Sequence, residues 1–286
     1  MSLRVIAAHL DGSHADQHIL DTALALAEAF GGHIDATCAL PNPTLNVPAT
    51  GRGLFPGVVK DLAKQAEVRW QEQADKIAHG FHKWRAAHGV PEMVKPSASG
   101  IATAAWREAS KSEALAKASS LADILVSALP VERAPATETL DHELSLFQEG
   151  RPVLFMPKGK PARVVDGVIL IAWNGSPQAF HAITAALPIL KKAKAVHVCS
   201  VPEKAITADA AAELVRYLDW HGVKAKIVAP AKGKSAAVAL EAAVKQTKAD
   251  LLVMGAYTHS RLREWVLGGV TQHYISDAKI PVLMAH

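Results

Sequence analysis

In the stretch "LLVMGAYTHSRLREWVLGGVTQHYI", residues 251–275, an apolar run closes on Gly255, a polar loop follows, and Gly268 and Gly269 precede a segment that turns helical. Residues of these types in this order can bind an anion. Glycines let backbone approach closely, loop N–H groups converge, and the helix start adds a partial positive charge. His259, Arg261 and Arg263 bring polar and cationic groups to the loop, and Thr271 brings a hydroxyl. A second reading stands beside this one. The glycines turn the chain and let a helix pack close to a sheet, and the loop side chains are a solvated surface. Trp265 reads as a packing residue that anchors the loop.

Little else in the chain suggests chemistry. Ser13 and Ser176 each follow a glycine, but both stand where a helix N-cap is wanted, and no Gly-x-Ser-x-Gly elbow or complete Walker loop occurs. His79 and His82 lie one helical turn apart and would need a third ligand from elsewhere to hold a metal, so they read as a solvated helix face. Cys38 and Cys199 sit in short apolar runs without metal-ligand spacing and read as buried small hydrophobes.

The elements that must carry the loop are written twice. "LRVIAAHLDGSHADQHILDTALALAEAFGGHIDATCALP" from residue 3 and "DGVILIAWNGSPQAFHAITAALPILKKAKAVHVCSVP" from residue 166 both read strand, Gly-Ser turn, helix, strand. Helical spacing places Ile19, Ala23, Ala27 and Phe30 on one apolar face, and Phe180, Ile183 and Leu187 on the other. Gly31-Gly32 ends the first helix, Pro177 opens the second, and Pro188 is expected to kink it. The two cysteines fall at matching places in this comparison. Further on, "ADILVSAL" matches "ADLLVMGA" and "RPVLFMPK" matches "IPVLMAH". A repeat this long means duplicated domains.

Apolar strands alternate with helical segments, among them "GIATAAWREASKS" and "KSAAVALEAAVKQTKA", which is the signature of βαβ units and a covered parallel sheet. The first half has extra material, a Pro/Gly-rich loop and the long helical stretch "VVKDLAKQAEVRWQEQADKIAHGFHKWRAAHG". "GKPARVVDG", residues 159–167, reads as a linker.

Of 286 residues, 31 are Lys or Arg and 27 Asp or Glu, a net charge of +4 scattered along the chain. Such a distribution argues against a dedicated nucleic-acid surface. No apolar run reaches the ~18 residues of a membrane helix, and the opening residues lack a signal-peptide core. The expectation is a soluble, cytoplasmic protein.

The duplicated α/β units and the final "MGAYTHSRLREWVLGGVTQHYISDAKIPVLMAH" resemble a tandem universal stress protein over nearly the whole chain. The resemblance implies two doubly wound five-stranded parallel-sheet domains of the adenine nucleotide alpha hydrolase-like type. These would be residues 1–158 and 166–286, arranged as an intrachain pseudo-dimer joined antiparallel through "PVLFM" and "PVLMA". Nucleotide-binding members carry Gly, two residues, Gly, nine residues, Gly, then Ser or Thr. Gly255 matches the first Gly and Gly268 the third, while Thr258 replaces the second and Gly269 the Ser or Thr. Thr258 resists a positive-φ turn, and Gly269 offers an N–H but no hydroxyl, which Thr271 could partly replace. The family's acidic residue after the first strand is Asn174 here, an amide without charge.

The first half keeps Asp11 but has no glycine after "ADILVSAL" until Gly150, so no nest for a polyphosphate is expected there. The resemblance thus implies a non-catalytic stress-response factor that takes ATP or a related adenine nucleotide in its second domain, with slow hydrolysis at most. The implied contacts are Asn174, Gly175, Val201, Gly255, Thr258, His259, Arg261, Gly268, Gly269, Val270 and Thr271, with no metal ligand set. The alternative is a nucleotide-independent interaction or small-ligand module of the same fold, with the long first-half helix as its surface. No nucleic-acid or membrane partner is expected, protein partners are not named by the sequence, and a further homodimer stays open.

Overall fold

The computed structural model describes residues 3–40, 56–95, 100–107, 120–129, 150–157, 163–200, 209–230, 235–256, 270–271, 273–274 and 278–286. In chain order the first half contributes β1 (Val5–Leu10), α1 (Ala15–Phe30), β2 (His33–Cys38), α2 (Pro56–Ala87), β3 (Thr103–Arg107), β4 (Ile124–Ala128) and β5 (Val153–Met156). The second contributes β6 (Val168–Trp173), α3 (Pro177–Leu190), β7 (Ala195–Ser200), α4 (Ala210–Trp220), β8 (Ala225–Val228), α5 (Ala236–Thr247), β9 (Leu251–Gly255) and β10 (Val282–Ala285).

All ten strands lie in one sheet in the order β3-β2-β1-β4-β5-β10-β9-β6-β7-β8. Within each half the order is the same relative to the chain, and every pairing is parallel. The halves meet at β5 and β10, which run antiparallel with Leu154 opposite Leu283. Both leucines are fully buried.

Equivalent backbone fastenings recur in the two halves. Asp123 Oδ2 accepts the Arg4 and Val5 N–H groups at 2.7 and 2.9 Å, and Asp250 Oδ2 accepts the Val168 N–H at 2.8 Å. Leu125 N–H bonds Pro152 O, and Leu252 N–H bonds Pro281 O, each at 3.0 Å. The aspartates of "ADILV" and "ADLLV" thus pin the first strand of each half to its fourth.

Because successive strand residues point to opposite faces, the sheet separates two cores. Ile6, Ala8 and Leu10 face the core shared with α1, α2, α3 and α4, whereas Ala7, Leu125 and Phe155 face the one that includes Leu240 and Ala243 of α5. Helix α1 buries Ile19, Ala23 and Ala27, with Phe30 half-buried, and ends at Gly31. There φ is +62°, and a Cβ would stand 2.7 Å from Gly100 O, so only glycine fits. In α3 the Ser176 hydroxyl accepts the Ala179 N–H, Pro177 opens the helix, and the helix continues through Pro188 to Leu190.

Several expectations are corrected. "TAAWR" belongs to β3 rather than to a helix. Its alanines favour helix locally, but pairing with β2 decides, supported by His33 Nδ1 at 2.7 Å from Thr103 Oγ1 and Arg107 Nε at 2.8 Å from Asp35 Oδ1. Burial opposes the charge on Asp35, yet hydrogen bonds from His33 and Arg107 hold its carboxyl below the usual range. The cysteines are not equivalent. Cys38 pairs with Leu10 at the end of β1, whereas Cys199 pairs with Ala172, one residue before the end of β6, so they face opposite cores. Phe180 is exposed and meets Tyr217 edge-on at 5.2 Å instead of joining the core. The 159–167 connection is no free linker throughout, since Val164 is buried.

Candidate functional site

In the second half the chain runs from β6 outward through β7 to β8, then returns to β9 on the other side of β6. Such a reversal leaves a crevice beyond the carboxyl ends of the two central strands, where ligands of open α/β sheets bind. Here β6 ends at Trp173 and β9 at Gly255, and pairing of Ile171 with Val253 brings those ends level. Asn174 follows directly. Its Oδ1 accepts the Ser176 N–H at 3.2 Å and the Ser176 hydroxyl at 2.7 Å, while Gly175 turns the chain at φ +73°.

Helix α3 starts hard against the end of β9. A Cβ on Gly255 would stand 2.5 Å from Ala179 N and 2.8 Å from Gln178 C. Gly255 therefore permits close helix packing, and the same contact brings a helix N-terminus to the crevice. The two sequence readings of this glycine are thus compatible. Among the other implied contacts, Val270 is half-buried and Thr271 buried. His273 Nε2 lies 2.6 Å from Glu241 Oε1, which ties this helical segment to α5. Burial, then the charge on Glu241, pushes the Tyr274 hydroxyl above its usual range. Val201, Thr258, His259, Arg261, Gly268 and Gly269 lie outside the described residues, as do Arg263 and Trp265.

The corresponding turn of the first half is built differently. Asp16, three residues after Ser13, reaches back so that its carboxylate accepts the Asp11 and Gly12 N–H groups at 3.0 Å each. Ser13 Oγ accepts the Ala15 N–H at 3.1 Å, although the residue preceding α1 is His14. The Asp16 carboxyl thus takes up two backbone N–H groups of this turn itself. Burial, joined by the neighbouring Asp11 carboxylate, pushes Asp16 up to about 7 despite its two backbone hydrogen bonds. Ser-x-x-Asp is the spacing of a capping box, but here Asp16 reaches past Ser13, whose N–H is taken by Asp11 Oδ1 at 2.8 Å. Asp16 was nonetheless absent from the expected site.

Beside this turn a cleft of about 830 Å³ opens between α1 and α2. Its apolar floor includes Leu20, Ile77, Phe81 and Trp84, all buried. Trp84 Nε1 donates to Asp21 Oδ1 at 2.8 Å, which fixes α2 against α1. His79 and His82 are exposed, and His79 and His82 do not line this cleft. Among the described residues no group of three or more His, Cys, Asp or Glu side chains is arranged to hold a metal ion, and no helix is long and apolar enough to cross a membrane.

Residues 167–286 match the model of the universal stress protein family. No curated protein sequence matches the chain. Among solved structures, a universal stress protein from Archaeoglobus fulgidus DSM 4304 is similar at a TM-score of 0.63 and 16% identity, with 99% of this chain and 96% of that one covered. A protein provisionally described as a universal stress protein, from Pseudomonas aeruginosa UCBPP-PA14, gives 0.52 and 16%, covering 98% and 92%. The cytoplasmic domain of a prokaryotic cation chloride cotransporter gives 0.51 and 14%, covering 100% and 95%. At these identities the likeness concerns the fold, and it extends over both halves.

Proposed function

We propose that this chain is a cytoplasmic stress-response protein of universal stress type, without catalytic machinery of its own, whose second half takes ATP or a related adenine nucleotide. Residues 1–158 and 166–286 are then two copies of one domain, joined as an intrachain pseudo-dimer. The observation that carries the nucleotide reading is the meeting of Asn174, Gly255 and the start of α3 where the strand order reverses. Asn174 and Gly175 would lie by the base and ribose, with the Val201 main chain. Backbone N–H groups from Gly268 onward, with Thr271, would face the phosphates. In the first half Asp16 fills the equivalent turn, so one nucleotide per chain is expected.

A nucleotide-independent ligand-binding module of the same fold is the second reading, and the cleft between α1 and α2 favours it. Absorbance and mass spectrometry of the purified protein distinguish the two by whether an adenine nucleotide is carried along. Titration with ATP tests the site. Gly268→Val puts a branched side chain where the loop must come close to phosphate, and affinity should fall by on the order of ten-fold with the fold retained. Unchanged affinity would move the nucleotide elsewhere.

A further inference from the structure

We infer that the cleft between α1 and α2 is a binding site for a small amphipathic organic acid, an apolar body carrying one anionic group. It lies against the helices on one face of the first half, apart from the second-half crevice, and does not depend on nucleotide binding there. Three observations carry it. The cleft, at about 830 Å³, has the size of a small-molecule site, and its floor of Leu20, Ile77, Phe81 and Trp84 suits an aromatic or aliphatic body.

The second observation is the charge along its rim. Arg69, Lys76 and Lys83 all line it at seven-residue spacing, which puts them on one stripe of α2 about 10 Å apart. His14 adds a basic group from the start of α1. Against these stand Glu72 and Asp16, and Asp16 is already engaged by two backbone N–H groups. Its carboxyl, raised to about 7, opposes an incoming anion less than an ordinary aspartate would.

Gly80 is the third. It stands on the same side between Lys76 and Lys83, in the interior of a helix, where glycine costs about 1 kcal/mol relative to alanine. No neighbour requires it, because a Cβ built there meets nothing within 4 Å. What the missing side chain provides is open volume in the cleft, framed by two lysines. An anionic group seated at this notch would have both ammonium groups in reach, with its apolar body on Phe81 and Trp84.

The probe is 8-anilinonaphthalene-1-sulfonate, an aromatic body with a sulfonate, titrated into the full chain and followed by fluorescence. Saturable one-to-one binding is expected, displaced by decanoate or 1-naphthoate but not by ATP. Gly80→Leu fills the notch and should weaken the dye by at least about ten-fold. The double substitution Lys76→Gln and Lys83→Gln, at two exposed positions, should weaken it by a similar factor and flatten its salt dependence. Circular dichroism and thermal melting verify that each variant is folded. Absence of saturable binding, equal affinity in the lysine double variant, or displacement of the dye by ATP would each overturn the assignment.

Discussion

Asp16 shows how one side chain can decide whether a turn is open. Its oxygens accept the Asp11 and Gly12 N–H groups, so those two donors are not open to a ligand. Burial, together with the Asp11 carboxylate, holds its proton to about pH 7 instead of the ordinary 3.8. The folded state therefore binds this proton more tightly than the unfolded chain does. The resulting stabilisation is complete below the unfolded value of 3.8 and is lost as pH rises through about 7. Asp16→Asn keeps a carbonyl acceptor and removes the titration. The melting temperature of the variant relative to the native protein should thus rise between about pH 4 and about pH 7 and level off above. A difference that does not change with pH would mean that Asp16 is charged throughout in the folded protein.

Among the elements, the start of α3 gathers the described residues around the end of β9. Ser176 caps it, Asn174 holds Ser176, and Gly255 admits its first turn. Ser176→Ala should cost about 1 kcal/mol of stability and weaken any nucleotide bound beside it, read by chemical denaturation and by ATP titration of the same sample. Full retention of both would remove the cap from its supporting role. This element was legible in advance because Asn-Gly-Ser-Pro is local chemistry: a turn, a cap and a fixed φ in four neighbouring residues. The repeat was legible for a similar reason, since the aspartates of "ADILV" and "ADLLV" perform the same fastening. Strand β3 was not, because its alanines prefer helix until β2 offers a partner. The one-residue offset of Cys38 and Cys199 was also hidden, as side-by-side sequences do not reveal which sheet face a residue meets. The cleft arises only where α2, packed on β2 and β3, comes beside α1, and nothing local in either helix announces that placement.

At the scale of the molecule the defining contact is the antiparallel seam of β5 and β10 in an otherwise parallel sheet. Leu154 and Leu283 sit opposite one another there, fully buried. Each half alone would present this strand as an apolar edge with unpaired backbone groups, an invitation to another chain. Residues 163–286 expressed alone should accordingly form dimers or aggregates in sedimentation or light scattering. A stable monomer at high concentration would show that the seam is dispensable. The seam also imposes an order in time. Pairings within a half join residues that are nearer in sequence, whereas β5 must wait for a strand separated from it by the entire second half. Two preformed halves then search for each other, and the search does not distinguish a half of the same molecule from one of its neighbour. In dilute refolding the tether wins and monomers close. In concentrated refolding, exchange of halves between molecules competes, producing oligomers that keep every native strand pairing and differ only in which chain supplies it.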